Sequence, residues 1–324
     1  MFTDINVPTG APQVTPAISA NLTVGPSLGQ PMAIILTNNV TLSSLSKPQV
    51  TGLMSGYNAD WSYVDSSLPS AQVIVCRRVP GSGTQASIND FFFGFPCSTS
   101  QQVPATSSVG SGSAGAWLAP IVIENSGSGQ LAACMTAAED GTAPGYTISI
   151  TDGTLSTAAQ DSTHITLPAG GMAIGLMGLD RPAQTIKTAA INGASAGITE
   201  TYKFAAIDGV AATIENAVIG NYDVVVNNSW NARSVTVNGI APMSGDQATF
   251  YAAMKSNSGN SAILGACKTP PVPGVAALAD PVNLNYDPTT TSCTVNGVGY
   301  TNILLNPVMR TVKANSCQPA QQEQ

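Results

Sequence analysis

Arg77-Arg78-Val79-Pro80-Gly81-Ser82-Gly83-Thr84 is the stretch of this chain best furnished for chemistry. It follows the apolar run Ala71-Gln72-Val73-Ile74-Val75-Cys76 and leads into Gln85-Ala86-Ser87-Ile88-Asn89-Asp90-Phe91, which reads as the first turns of a helix. A β-rich run feeding a Gly/Ser/Thr loop that opens a helix builds an anion site. Glycines let backbone N–H groups crowd together, the helix start adds its positive end, and the hydroxyls of Ser82 and Thr84 add donors. Arg78 at the strand end supplies a planar fork matched to phosphate or carboxylate oxygens. The competing reading of the same residues is a tight polar turn with a solvated arginine pair.

Other constellations are weaker. The single histidine, His164, stands among Ser162, Thr163 and Thr166, and a surface or hairpin role fits it better than a nucleophilic triad. Glu139-Asp140 precede Gly141 and read as a helix end rather than an acid/base pair. Asp152-Gly153 and Asp208-Gly209 are turn signals without the spaced oxygen ligands of a calcium loop. The six cysteines (Cys76, Cys97, Cys134, Cys267, Cys293, Cys317) show no CxxC spacing, which argues against zinc and c-type haem. Their even number favours disulfides and an oxidising compartment, with buried free thiols as the alternative. Asn21-Leu22-Thr23, Asn39-Val40-Thr41 and Asn227-Asn228-Ser229 match the glycosylation tripeptide, a pattern that a Ser/Thr-rich chain also produces by chance. Trp61, Trp117 and Trp230 read as core or hinge residues.

The elements that must position these groups are sketched by composition and pattern. At 324 residues the chain is long enough for two domains. Only 9 % of it is charged, against a usual value of about 25 %, so Ser, Thr, Asn, Gln and Gly must cover the surface. A net charge of −7 with 11 Lys and Arg excludes a nucleic-acid partner of the usual basic kind. No apolar run approaches the ~20 residues of a bilayer span, and Met1 to Asn6 lacks the basic and apolar regions of a signal peptide. Low charge with abundant Thr, Ser, Val and Ala suits a secreted, β-rich protein.

Along the chain, Pro31 to Leu36 reads as a buried strand, and Leu42 to Met54 carries apolar residues near helical spacing. Within that stretch Ser46 is the N-cap, Pro48 lies in the first turn and Gly56 ends the helix. The strand at 71–76, the anion loop and a helix with Phe91, Phe92 and Phe93 follow; the three aromatics read as core. Residues 106–115 form a Gly/Ser loop, Leu118 to Ile123 a strand, and Gly127-Ser128-Gly129 a second anion-facing helix start before Gln130 to Ala138. Residues 145–167 read as a β insertion, with alternation at Tyr146 to Ile150. Met172 to Leu179 is apolar and glycine-rich, Thr201 to Ile207 and Asp223 to Val226 are strands, and Gln247 to Met254 is an amphipathic helix. Hairpin-like runs surround Asn296-Gly297. Strands alternating with helices early and strands dominating later predict an α/β fold with β additions.

Four pieces, in order, resemble a known family. These are Thr3-Asp4-Ile5-Asn6-Val7-Pro8, then Leu42 through Trp61 with Ser55-Gly56 and Asp60-Trp61, and then Val73 through Thr84. The fourth is Gly170 to Leu179 together with Tyr202 to Tyr222. They are similar to the Ser-Asp loop, the tryptophan helix, the arginine–GSGT loop and the return segments of the phosphate-binding periplasmic substrate-binding proteins of type II. The resemblance spans roughly residues 1–230. It implies a two-lobed α/β fold with β-rich insertions, residues 1–36 and 223–324 forming lobe 1 and 37–222 forming lobe 2. It further implies a non-catalytic secreted or periplasmic protein that binds phosphate or a similar oxyanion, with neither cofactor nor metal. The ligand-binding residues it implies are Asp4, Arg78, Gly81, Ser82, Gly83 and Thr84, with Asp4 pairing with Arg78. The chain departs from the family at Pro80, where the family carries a proton-accepting aspartate. It also starts almost at the Ser-Asp loop, so lobe 1 is expected to be incomplete, in a truncated sequence or in a subunit completed by a neighbour. Three cysteines fall in each lobe. These departures keep open a second expectation, an extracellular structural or filament-forming subunit that self-associates and retains the fold.

Overall fold

The computed structural model describes residues 2–3, 22–79, 82–94, 117–141, 167–179, 202–213, 216–217, 220–236, 239–258, 276–278, 292–295, 298–301, 308–309, 311–312 and 321–322. Asp4, Pro80, Gly81, Cys97, the loop 106–115, the predicted insertion at Tyr146 to Ile150, Asp152-Gly153, His164, Cys267, Asn296-Gly297 and Cys317 lie outside them. The strands and helices, in chain order, are β1 (Phe2–Thr3), β2 (Leu22–Leu36), β3 (Ser44–Leu45), α1 (Lys47–Met54), β4 (Val73–Arg78), α2 (Gly83–Phe93), β5 (Ile121–Asn125), α3 (Ser128–Asp140), β6 (Met172–Gly178), β7 (Lys203–Ile207), β8 (Val225–Arg233), α4 (Gly245–Ser258), β9 (Ala276–Leu278), β10 (Ser292–Val295), β11 (Val298–Thr301), β12 (Val308–Met309), β13 (Thr311–Val312) and β14 (Gln321–Gln322). The architecture is mixed α/β, and the chain divides into two compact units. None of the described helices is long and apolar enough to cross a membrane.

One unit comprises Ala33–Met177 and Pro182–Ala211. Its sheet runs β2-β6-β4-β5, with β4 parallel to both β5 and β6. Such strands are buried on both faces and require continuous apolar sequence; Val73 to Cys76 and Ile121 to Ile123 supply it and are at most 4 % exposed. Helix α3 lays Leu131, Cys134, Met135 and Ala138 against Ile74, Cys76, Ile121, Ile123 and Ala173. Cys76 and Cys134 form a disulfide within this cluster, one of the bridges that the even cysteine count predicts. The helix ends at Asp140 because Gly141 turns into the left-handed region at φ 69°, where a Cβ would come within 2.3 Å of the Ala169 Cα. Glu139-Asp140 thus close a helix, as their position before glycine predicts.

Helix α1 begins where the sequence places its cap. Ser46 Oγ accepts from Gln49 N while Gln49 Oε1 accepts from Ser46 N, a reciprocal capping box with Pro48 in the first turn. Just before that cap, Ser44–Leu45 pairs as β3 with β7. Trp61 is fully buried and donates Nε1–H to Met172 O at 2.8 Å. Trp117 is only half-buried. Phe92 and Phe93 are core residues, whereas Phe91 is half-buried. Asp208-Gly209 form the predicted turn, both at positive φ.

The other unit comprises Met1–Met32, Gly178–Arg181 and Ala212–Gln324. Here β8 pairs antiparallel with β1 and with the first part of β2, and the β2 register shifts between Pro26 and Gly29. A proline without an N–H cannot continue a ladder, so a shift beside it is expected. β10 and β11 form an antiparallel pair with Val295 opposite Val298, the hairpin that Asn296-Gly297 predicts. Tyr222 is buried and donates its hydroxyl to Met32 O at 2.7 Å; burial pushes its pKa well above the ordinary phenol value, followed by the charge of Asp223. Helix α4 forms where the sequence predicts it, with Ala248, Tyr251 and Met254 half-buried at helical spacing and Tyr251 donating its hydroxyl to Trp230 O at 3.1 Å, while Phe250 is 66 % exposed.

Candidate functional site

Strands β4 and β5 run parallel in a register that sets Arg77 beside Glu124 and Arg78 beside Asn125. Side chains alternate along a strand, so the consecutive arginines meet different surroundings. Arg77 turns inward to form an ion pair with Glu124; the two residues are 4 % and 1 % exposed. Arg78 is half-buried at the carboxyl end of β4.

The Arg78 fork is held by the turn between β5 and α3. Nε–H donates to Asn125 O at 3.1 Å, Nη2 to Ser126 O at 2.8 Å and Nη1 to Ser128 Oγ at 3.3 Å. Asn125 O also accepts from Val79 N at 3.0 Å. The Asn125 carboxamide, fully buried, donates from Nδ2 to Arg77 O at 2.9 Å and to Ile123 O at 3.1 Å. These bonds tie the ends of β4 and β5 together and hold the guanidinium against the start of α3.

Ser82 is the N-cap of α2, with extended backbone and its Oγ accepting from Gln85 N at 3.1 Å. Ser82 N donates to Val79 O at 3.2 Å. A capped hydroxyl still carries its own proton for donation. Helical geometry supplies no acceptor for the first-turn N–H groups of Gly83 and Thr84. Ser82, Gly83 and Thr84 are all half-buried, within reach of solvent. Helix α3 starts differently. Its N-cap is Gly127, which makes no side-chain cap bond, and Gln130 reaches back to accept from Ser126 N at 2.7 Å and Ser126 Oγ at 2.6 Å.

Arg78, Ser82, Gly83 and Thr84 therefore share one strand-to-helix junction; Asp4 and Gly81 lie outside the described residues. Sequence reasoning missed Glu124 and Asn125. The signal was present: Ile121-Val122-Ile123 ends in Glu-Asn as Val73-Ile74-Val75-Cys76 ends in Arg-Arg, an acid and a base at matching distances past two apolar runs. Topology adds a reason for the location. β5 and β6 flank β4 on opposite sides, so the strand order reverses around β4. In parallel α/β sheets, ligands bind at the carboxyl ends of strands where such a reversal occurs. A separate groove of about 500 Å³, lined by Lys47, Pro48, Thr51, Tyr57, Asn58 and Phe91 among others, contains none of the predicted anion ligands.

No family model matches the sequence, and no curated protein matches it. Similar solved structures exist at low identity. One, described as a phosphate ABC transporter substrate-binding protein from Clostridium perfringens and solved with bound phosphate, shares 14 % identity at a TM-score of 0.41, covering 73 % of this chain and 66 % of that one. PstS from Borrelia burgdorferi shares 13 % at a TM-score of 0.41, covering 77 % and 72 %. An ABC-type phosphate transport receptor from Vibrio cholerae shares 12 % at a TM-score of 0.43, covering 79 % and 72 %. With scores of this size, a functional reading rests on the strand ends, loop and helix starts of the chain itself.

Proposed function

We propose that this chain is a non-catalytic oxyanion-binding protein of secreted or periplasmic type, with phosphate as the ligand the chemistry favours. The observation that carries the reading is the Arg78 guanidinium, held by three directed hydrogen bonds at the turn that opens α3, on the strand end that leads four residues later into the Ser82 cap of α2. A fixed arginine loses little freedom when an anion arrives, and first-turn N–H groups with two hydroxyls add donors around it. Arg78, Ser82, Gly83 and Thr84 form the half-site on the Ala33–Met177 unit. Gly81 and Asp4 join this reading through the sequence resemblance, as do the two lobes at 1–36 with 223–324 and at 37–222. Pro80 removes the carboxylate that would accept a proton from the ligand, so binding at Pro80 carries no preference for a protonated oxyanion.

Calorimetric titration of the full chain with inorganic phosphate tests the proposal, with Arg78→Ala as control. Charge-assisted hydrogen bonds contribute about 1.5–3 kcal/mol each, so loss of Arg78 is expected to weaken binding by roughly ten- to a hundred-fold or more. Absence of heat in a folded wild-type sample would overturn the receptor reading and favour the self-associating structural subunit, which sedimentation of the same sample would reveal.

A further inference from the structure

We infer that Asn125 is the positioning residue for Arg78, a role that rests on the anion-binding reading of this site and extends it to a residue the ligand does not touch. Asn125 is fully buried at the last position of β5, level with Arg78 in the parallel register. Its carboxamide donates both across to Arg77 O and back to Ile123 O. Its carbonyl is fixed by those two bonds and receives both Val79 N and Arg78 Nε. The residue thus acts on both sides of the guanidinium's anchor. The side chain locks the end of β5 to β4, and the main chain offers the acceptor that sets the direction of the fork. Asparagine suits this place because it presents two N–H donors from a short, uncharged head. Aspartate has the same shape but would point carboxylate oxygens at the Arg77 and Ile123 carbonyls.

A merely structural asparagine would lower stability without regard to Arg78, so the test couples the two residues. The Arg78 Nε–H resonance of full-length protein is assigned by its loss in Arg78→Lys and followed in Asn125→Ala without ligand. Inorganic phosphate affinity is then measured for Asn125→Ala in the wild-type and Arg78→Lys backgrounds. The expected result is a shifted, faster-exchanging Nε–H. Phosphate affinity should fall about tenfold in the wild-type background, the scale of one to two hydrogen bonds. In the Arg78→Lys background the change should stay below about twofold, the margin for uncoupled sites. An unmoved Nε–H resonance, or equal affinity losses in both backgrounds, would overturn the assignment. A wild-type chain that ignores phosphate while Asn125→Ala still frees the Nε–H would reject the phosphate reading and leave the positioning role standing. If circular dichroism shows Asn125→Ala unfolded, Asn125→Ser replaces it in each measurement.

Discussion

Arg77 and Arg78 are chemically identical neighbours, yet the two faces of the β4 end use them in opposite ways. On the inner face the guanidinium of Arg77 is removed from water and neutralised by Glu124. On the outer face Arg78 keeps solvent access and gives its donors to the Asn125 and Ser126 carbonyls and the Ser128 hydroxyl. Carbonyls and a hydroxyl orient a guanidinium without cancelling its charge, whereas a carboxylate does both. The lesson is that a buried ion pair consolidates the sheet on one face, while on the other directed bonds to two carbonyls and a hydroxyl set the aim of the second guanidinium. The same alternation explains why the pair Arg77–Arg78 need not behave as a double binding motif.

Breaking the inner pair should have the largest effect. Glu124→Gln leaves the buried Arg77 charge without its counter-ion, and removal of one partner of a buried pair costs about 3–5 kcal/mol. Urea unfolding would show this as a lower midpoint, and replacing both residues with apolar ones, as in Arg77→Met with Glu124→Leu, should recover most of the loss. Arg78→Ala, by contrast, should lower the midpoint by less, since its partners are neutral carbonyls and a hydroxyl rather than a buried charge, while reducing phosphate binding. Similar stability losses for the two arginine-face variants would refute the contrast.

The disulfide tests whether the two faces are held as one block. Cys76 lies two residues before Arg78, and Cys134 lies on the helix whose Ser128 contacts it. With 58 residues separating the cysteines, the Cys76→Ala/Cys134→Ala variant should lose about 2–4 kcal/mol, read by the same unfolding curves. Smaller still is the helix cap: Ser82→Ala should cost about 1 kcal/mol and should weaken phosphate binding as well, whereas a stability loss with unchanged affinity would confine Ser82 to capping.

A control lies before the opposite end of β4. Asp60 accepts from Ser62 N at 2.9 Å, Ser62 Oγ at 2.9 Å, Ser70 Oγ at 2.6 Å and Ala71 N at 3.2 Å. Burial works to raise this carboxyl, but the Ser70 hydroxyl, followed by the Ser62 and Ala71 bonds, outweighs it and holds the pKa below the ordinary value of 3.8. A lowered folded-state pKa means the ionised form contributes stability above the unfolded pKa, and that contribution is lost as pH falls through the folded one. Thermal midpoints between about pH 5 and pH 2 should therefore fall less steeply in Asp60→Asn than in wild type. Parallel slopes would show that Asp60 does not contribute to acid unfolding.

Much of the fold and part of the site were legible in the chain. Ser46 three residues before Gln49, with Pro48 between, determines a helix start by local bonding alone, and α1 begins there. The apolar runs ending in Cys76 and Ile123 demanded buried strands, and glycines after Ser82 and before Ser128 opened helices, because each effect acts over a few residues. Long-range pairing was not legible: Ser44–Leu45, just before the Ser46 cap, forms β3 against β7, more than 150 residues away. Gln247 to Met254 forms its helix as the pattern predicts, but that Tyr251 would reach Trp230 O depends on chain 21 residues away.

By itself, the sequence determined that a guanidinium, two hydroxyls and glycine amides would gather at one strand-to-helix junction, since those residues are contiguous and their geometry is set by neighbours along the chain. Tertiary structure alone decided which arginine would pair with Glu124 and which would bond the Asn125 and Ser126 carbonyls and the Ser128 hydroxyl. That choice depends on β5 pairing with β4 in the register that sets Glu124 beside Arg77 and Asn125 beside Arg78. A shift of one residue would turn the β5 side chains to the other face and set either Asn125 beside Arg77 or Glu124 beside Arg78, so no property of either arginine read along the chain could have fixed its role.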